Sequence, residues 1–168
     1  MIDPFLDQKT IDCQPPYDQI ITEPGTTILS PNHPGLYNRG LDCQTTIRFS
    51  DNVRIVFQEL DVPKSTMPTL GKRHRFWPLP TFGPLPPFGP LPTVRTEHCL
   101  YDYLKVHDGE TPLDSNQIGH RLCGSGNPPS IVSSGKAITL TFHSDSLRSL
   151  RFSRSGFRIK ALLDWQGR

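Results

Sequence analysis

Four widely spaced cysteines constrain what this chain can fold into more than any other feature. Cys13 and Cys43 bracket one stretch, and Cys99 and Cys123 bracket another. None of them has the short Cys-x-x-Cys spacing of a zinc site, so two disulfides are the better interpretation. Disulfides in turn imply an oxidising compartment. Spacing alone leaves every pairing of the four cysteines open.

Strand patterns recur along the chain and carry apolar residues at every second position. Such a pattern puts apolar side chains on one face of a strand and leaves the other face wetter. Turn residues separate the runs, as at Pro34-Gly35 and Ser134-Gly135, and no long window has the apolar period of a helix. Many short strands with regular turns predict an all-β antiparallel sandwich. The clearest alternations are Thr45/Ile47/Phe49, Val53/Ile55/Phe57, Ile138/Leu140/Phe142 and Phe157/Ile159/Ala161.

Composition narrows the possible partners and compartments. The chain has 168 residues, which fits one domain with additional segments or one domain plus a linker. Its net charge of +2 gives no general reason to expect nucleic acid as a partner. No apolar run approaches the roughly 20 residues of a membrane span. Met1–Thr10 lacks the basic and apolar regions of a signal peptide. Because disulfides imply secretion, we expect the chain to be a fragment of a longer secreted or membrane-anchored protein, or to have a gene model that starts late.

Residues 63–96 interrupt the strand pattern with a proline-rich insertion. A hexapeptide occurs three times there, beginning at Phe76, Phe82 and Phe88. The many prolines rule out regular ladder hydrogen bonding, so we expect a disordered loop between two strands. The alternatives are a polyproline II recognition segment, which would align the three phenylalanines on one face, and a retained intron.

Five short motifs occur in an order that resembles a CUB domain, and the resemblance covers residues 13–163 apart from the insertion. It implies a jelly-roll-like antiparallel β-sandwich with the disulfides Cys13–Cys43 and Cys99–Cys123. Residues 1–12 would then form an N-terminal extension and residues 164–168 a tail. The motifs are Ser-Pro-Asn-His-Pro-Gly-Leu-Tyr at 30–37, Cys-Leu-Tyr-Asp-Tyr at 99–103, Leu-Cys-Gly at 122–124, Phe-His-Ser-Asp at 142–145 and Ser-Gly-Phe at 155–157.

The resemblance also implies a calcium site at one end of the sandwich. Asp102 and Asp145 match two acidic ligands of the family, and Tyr37 matches a supporting tyrosine. The family's third ligand is a glutamate directly after the preceding strand, where this chain has Pro63, so we take Glu97 as the candidate replacement. Calcium prefers hard oxygen ligands of this kind. The alternative is that the two aspartates bond only loop backbone and that Tyr37 only packs.

Other candidate sites are weaker. No histidine pair has metal-ligand spacing, no serine lies in a Gly-x-Ser-x-Gly elbow, and no nucleophile, base and orienting group occur together, so we expect no enzyme activity. A possible basic patch would bind an acidic partner or a sulfated glycan, unless it only provides surface solubility. It consists of Arg148, Arg151, Arg154 and Arg158.

These observations predict an extracellular, non-catalytic module that recognises a protein or a glycan. The resemblance to CUB domains, which occur in complement proteases, tolloid-like proteinases, cubilin, neuropilins and spermadhesins, leaves the partner open because a fold does not identify a function. Two alternatives remain. The chain is an accessory module of a secreted protease whose catalytic domain lies elsewhere, or it is a free-standing carbohydrate-binding protein of the spermadhesin type.

Overall fold

Ten β-strands make up nearly all the regular structure in the computed structural model, which describes residues 7–64, 99–146 and 155–164. One short 3₁₀ turn, Asp114–Asn116, precedes the seventh strand. The predicted insertion at 63–96 therefore lies almost wholly outside the described residues. The strands are β1 (Gln8–Thr10), β2 (Ile20–Ile21), β3 (Thr27–Leu29), β4 (Asp42–Arg48), β5 (Val53–Val62), β6 (Tyr103–Asp108), β7 (Gly124–Ser125), β8 (Ile131–Val132), β9 (Ala137–His143) and β10 (Gly156–Leu163).

The strands form two sheets, which confirms the predicted all-β sandwich. One sheet has the order β1-β3-β10-β5-β7, with β8 also pairing β5, and the other has the order β2-β4-β9-β6. The sheets are mixed rather than purely antiparallel, because β1 pairs β3 and β2 pairs β4 in parallel. The first four strands alternate between the two sheets. Strands β1 and β2 each lie beside the strand two places further along the chain, which runs in the same direction.

The core lies between the two sheets and is built by the alternations seen in the sequence. In β9, Ile138, Leu140 and Phe142 are buried at 1% exposure or less, and in β10, Phe157 and Ile159 are fully buried. Each such side chain contributes about 1.5–3 kcal/mol when it leaves water. Because the inward face is fixed, the alternate residues of the same strands must point away from the core.

Two disulfides tie the strands at one end of the sandwich. Cys13 is joined to Cys43 and Cys99 to Cys123, which is the pairing that the resemblance implied. The chain is already part of the sandwich ahead of the predicted boundary at Cys13. Strand β1 pairs β3 from Gln8 to Thr10, and Ile11 is buried in the core.

Within the described residues, no helix has the length and apolar character needed to cross a membrane.

Candidate metal centre at one end of the sandwich

Tyr37, Asp102 and Asp145 come together at the end of the sandwich where β6 begins and β9 has ended. The Tyr37 hydroxyl donates a hydrogen bond to Asp102 Oδ2 over 2.5 Å. The backbone N–H of Asp145 donates to Asp102 Oδ1 over 2.9 Å. Three segments far apart in sequence thus meet at one carboxylate, and Asp102 as a whole is only 7% exposed.

Core packing positions the tyrosine. The ring of Tyr37 packs edge-to-face on Phe142, with 5.0 Å between centroids, and Phe142 packs in the same way on Phe157 at 5.2 Å. Such edge-to-face pairs are favourable aromatic geometries. Tyr37 is 2% exposed, so its ring belongs to the core while its hydroxyl reaches the loops at the end of the sandwich.

Ser144 fixes the two loops that flank the site. Its hydroxyl donates to the carbonyl of Asn38 and accepts from the backbone N–H of Leu41, each at 2.9 Å. Its own N–H donates to the Leu41 carbonyl. The segment after Tyr37 is therefore bound to the residue just before Asp145. In the sequence, Ser144 belongs to the Phe-His-Ser-Asp motif, and a small hydroxyl residue beside a candidate ligand is a usable signal for such a support.

Ser30 and Gly156 form a second close contact behind Tyr37. The Ser30 hydroxyl donates to the Ser155 carbonyl and accepts from the N–H of Phe157. Gly156 has φ of +88°, and a Cβ added there would lie 1.9 Å from Ser30 Oγ. Glycine is thus required by both backbone conformation and space, which explains the Ser-Gly-Phe motif at this position.

The chemistry of the site fits a hard cation in part. Asp102 and Asp145 supply carboxylate oxygens, which calcium prefers. A carboxylate has about four lone-pair positions, so the two hydrogen bonds that Asp102 accepts leave acceptor capacity. No group of three or more acidic, histidine or cysteine ligands occurs within the described part of the chain.

The remaining predicted site residues are distributed differently. Glu97, Arg148, Arg151 and Arg154 lie outside the described residues, so the third calcium ligand and most of the basic patch stay predictions. Arg158 lies on β10 and is half-buried, and its Nε has no hydrogen-bond partner among the described residues.

Pro63 immediately follows the end of β5, at the place where the resemblance puts a glutamate ligand. Two residues earlier, the Asp61 carboxylate accepts a hydrogen bond from the Ser155 hydroxyl at 3.2 Å. Asp61 thus links the last residues of strand β5 to the residue before β10.

Comparison with known proteins decides the family. A family model described as "CUB domain" matches residues 87–160. Human cubilin is 29% identical over 130 residues, which is 76% of this chain and 3% of that protein. Rat neuropilin-2 is 30% identical over 142 residues, which is 84% of this chain and 12% of that protein. This chain belongs to the CUB domain family. The chain spans only a small part of these curated relatives.

A solved CUB domain has the same fold. The crystal structure of the MASP-1 CUB2 domain bound to Ca²⁺ matches with a TM-score of 0.56 and 22% sequence identity, covering 86% of this chain and 97% of that one. The likeness establishes the fold of this CUB domain. CUB domains are non-catalytic binding modules as a class, and the MASP-1 domain was solved with calcium.

Proposed function

We propose that this CUB domain is an extracellular, non-catalytic module that recognises a protein through a calcium ion held by Asp102 and Asp145. The observation that carries the proposal is the convergence of three segments on the Asp102 carboxylate. Tyr37 donates from its hydroxyl and Asp145 from its backbone, so the side chain of Asp145 belongs to the same loop cluster.

Electrostatics supports a cation at this place. Asp102 is nearly buried, and none of the described lysines or arginines forms an ion pair with it. A carboxylate removed from water is costly unless charge or hydrogen bonds compensate it. Two hydrogen bonds supply part of that compensation, and a divalent cation would supply the rest.

Bound calcium would neutralise the two aspartates and hold their loops in one arrangement. Asp102 and Asp145 would hold it, Tyr37 would orient Asp102, and Glu97 is the proposed third acidic ligand. By resemblance to other CUB domains, the calcium-bound site would help to hold a basic side chain of the partner. Proteins carrying a surface lysine or arginine are therefore the expected ligand class.

Calorimetry with calcium and with a chelator tests the metal site. Calcium should raise the free energy of unfolding by about 2.7 kcal/mol at a hundredfold excess over its dissociation constant. Asp145→Ala should abolish this gain, because it removes the carboxylate and keeps the backbone N–H that holds Asp102. Asp114→Ala is the matched control, since the Asp114 side chain is 93% exposed.

The outcomes separate the parts of the proposal. No calcium-dependent gain in the parent chain would end the calcium hypothesis. A gain that survives Asp145→Ala would place the ion elsewhere. A gain lost in Asp102→Ala and Asp145→Ala but kept in Glu97→Ala would retain the site and remove the third ligand.

Partner recognition needs a separate experiment. The domain would be applied to an array of secreted and cell-surface proteins and to a glycan array, each with calcium and with a chelator. Calcium-dependent binding to proteins that is lost in Asp145→Ala supports the proposal. Binding to glycans alone would favour a carbohydrate-binding module instead.

A further inference from the structure

One arginine contacts both ends of the segment that carries Asp102. This segment, Cys99–Tyr103, is irregular up to Tyr103, which is the first residue of β6. At one end, Arg121 Nη1 donates a hydrogen bond to the Cys99 carbonyl at 3.0 Å. At the other end, the guanidinium carbon of Arg121 lies 3.9 Å from the centre of the Tyr103 ring. A single side chain therefore bridges the segment, and Asp102 lies between its two contacts.

The hydrogen bond to Cys99 satisfies a backbone group at the start of the segment. Cys99 is buried, and a buried carbonyl without a donor is costly. Within the described residues, the Arg121 guanidinium is the only donor to this carbonyl. The disulfide from Cys99 to Cys123, two residues after Arg121, restrains the same stretch. The start of the segment is therefore held by the disulfide and the guanidinium together.

The Tyr103 ring extends the contact to the strand that leads to Asp145. A guanidinium over the electron-rich face of a tyrosine is a favourable arrangement. The same ring stacks on the His143 ring, with 5.1 Å between centroids, and His143 lies two residues before Asp145. Lys105 Nζ is 5.6 Å from the centre of the Tyr103 ring, so Arg121 is the nearer of these two cations.

These contacts bear on the orientation of the Asp102 carboxylate. Asp102 lies in a bend, where no pairing with a neighbouring strand fixes its backbone. Its two oxygens accept hydrogen bonds from Asp145 and Tyr37, and both bonds require the segment to stay in place. Residues that orient a metal ligand without touching the metal commonly raise metal affinity. They do so because less of the loop has to be ordered when the ion binds.

We propose that Arg121 is a positioning residue for the calcium site, because it holds Cys99–Tyr103 so that Asp102 is oriented before the ion binds. The inference rests on the proposed function. Arg121 acts on calcium affinity in two opposite ways, since its contacts fix a ligand whereas its positive charge repels the ion. The side chain is exposed, and water and salt screen the repulsion, with a Debye length of about 8 Å at physiological ionic strength. Positioning is therefore the larger effect.

Calcium titration by calorimetry at physiological ionic strength tests the proposal. Arg121→Met removes both contacts and should weaken the dissociation constant about tenfold, the lower end of the range for residues that support metal ligands. Arg121→Lys keeps the charge, but an ammonium cannot lie flat on the ring and donate to Cys99 at the same time. Its dissociation constant should fall between those of the parent chain and Arg121→Met. Calcium binding by Arg121→Met that is as tight as in the parent chain, or tighter, would overturn the proposal.

Arg48→Met is the matched control. Arg48 is also an exposed arginine, but it ends β4 at the position farthest from Asp42, the residue that pairs with His143. Its removal should leave the calcium dissociation constant unchanged. A tenfold loss in this variant as well would show that any exposed arginine has the effect, and positioning by Arg121 would be wrong.

Variants of Tyr103 test the second contact. Tyr103→Phe keeps the ring and should bind calcium like the parent chain, whereas Tyr103→Leu removes the ring and should bind more weakly. In the double variant of Arg121→Met and Tyr103→Leu, the loss should be smaller than the product of the two separate losses, because both substitutions remove one shared contact. A loss equal to the product would mean that the two side chains act independently, which contradicts the bridge.

Amide hydrogen exchange in a calcium chelator gives a measurement without the ion. The Asp145 N–H, which is bonded to Asp102, should exchange faster in Arg121→Met than in the parent chain. The Ala161 N–H, bonded to the Thr26 carbonyl in the other sheet, should keep its rate. Faster exchange at both amides would indicate a general loss of stability and overturn the positioning role, as would an unchanged rate at Asp145. Absence of calcium binding in the parent chain would end the proposed function, and the exchange rates would still decide whether Arg121 positions Asp102.

Discussion

Tyr37 donates its hydroxyl proton to the carboxylate of Asp102, 65 positions along the chain, where both residues are nearly buried. The contact joins the aromatic core to the loops at the end of the sandwich. The Asp102 loop is therefore hydrogen-bonded to a side chain whose ring packs on Phe142 in the core.

Tyr37→Phe should destabilise the domain, because Asp102 loses one of the two hydrogen bonds that the described structure gives it. The phenylalanine ring would keep the packing of the tyrosine ring on Phe142. The expected cost is about 1–3 kcal/mol, the range for leaving a buried polar group less satisfied. Chemical denaturation in a chelator measures it. Tyr101→Phe is the control, because Tyr101 is 46% exposed, and it should change little. Equal effects in the two variants would mean that the hydrogen bond to Asp102 contributes nothing.

Gly156→Ala should be among the most damaging single substitutions in the chain. A Cβ there would collide with Ser30 Oγ, and the φ of +88° would also be strained. Displacing Ser30 would break the hydrogen bonds to Ser155 and Phe157, so the expected loss exceeds about 3 kcal/mol.

Gly135→Ala provides the comparison, since a Cβ at Gly135 meets nothing within 4 Å. Thermal unfolding and the yield of soluble protein report both variants. Normal yield and an unchanged melting temperature for Gly156→Ala would contradict the close packing of this end.

The long strands could be predicted from the sequence because they bury one face. Ile138, Leu140 and Phe142 alternate with Thr139 and Thr141, and a slip of one position would turn all three apolar side chains away from the core. By contrast, β1 and β2 contain three and two residues, too few to show a period. Their parallel pairing depends on how the chain crosses between the sheets.

The sites followed a different rule. Motif resemblance brought Asp102, Asp145 and Tyr37 into one hypothesis, but the hydrogen bond from the Asp145 backbone is a matter of loop geometry that no spacing encodes. The contact between Asp42 and His143 was missed altogether. These residues lie 101 positions apart, and only the register of β4 with β9 brings them together. The outward positions of both strands were visible, and their alignment was not.

Each disulfide should contribute about 2–4 kcal/mol, mainly by restricting the unfolded chain. The two bridges close loops with sequence separations of 30 and 24, so loop entropy predicts nearly equal effects. Paired substitution to serine, Cys13/Cys43 in one variant and Cys99/Cys123 in another, followed by denaturant unfolding, tests this. Peptide mapping without reductant should find only these two linkages, and a Cys13–Cys123 or Cys43–Cys99 peptide would contradict the structure.

The exposed pair of Arg48 and Glu110 predicts a small dependence of stability on pH. The hydrogen bonds and charge of the Arg48 guanidinium hold the pKa of Glu110 below its ordinary value. A lowered pKa in the folded state means that the pair stabilises above the unfolded pKa and that this contribution is lost as the pH falls through the folded pKa. The difference in melting temperature between the parent chain and Glu110→Gln should therefore narrow on acidification. A difference that grows at acid pH would contradict the assignment.

Arg54 and Asp164 form a contrasting pair, in which the carboxylate is buried and the arginine is partly exposed. Both Nε and a terminal nitrogen of Arg54 donate to Asp164 Oδ1, at 2.9 and 2.6 Å, and the Asp164 side chain is only 6% exposed. Arg54→Met keeps much of the aliphatic stem but leaves a buried carboxylate without this cation, so it should cost about 1–3 kcal/mol after allowance for the partly exposed arginine.

Arg54→Lys should recover only part of that loss, because an ammonium cannot reproduce the planar arrangement of guanidinium donors. Arg48→Met removes an arginine from the exposed pair and should have a much smaller effect, since exposed ion pairs are weak and screened by water. Urea unfolding of the three variants at neutral pH gives the comparison. Equal losses of stability in Arg48→Met and Arg54→Met would mean that the burial of Asp164 does not strengthen its pair with Arg54. The end of β10 would then be held by the hydrogen bond from the Asp164 N–H to the Asn52 carbonyl instead.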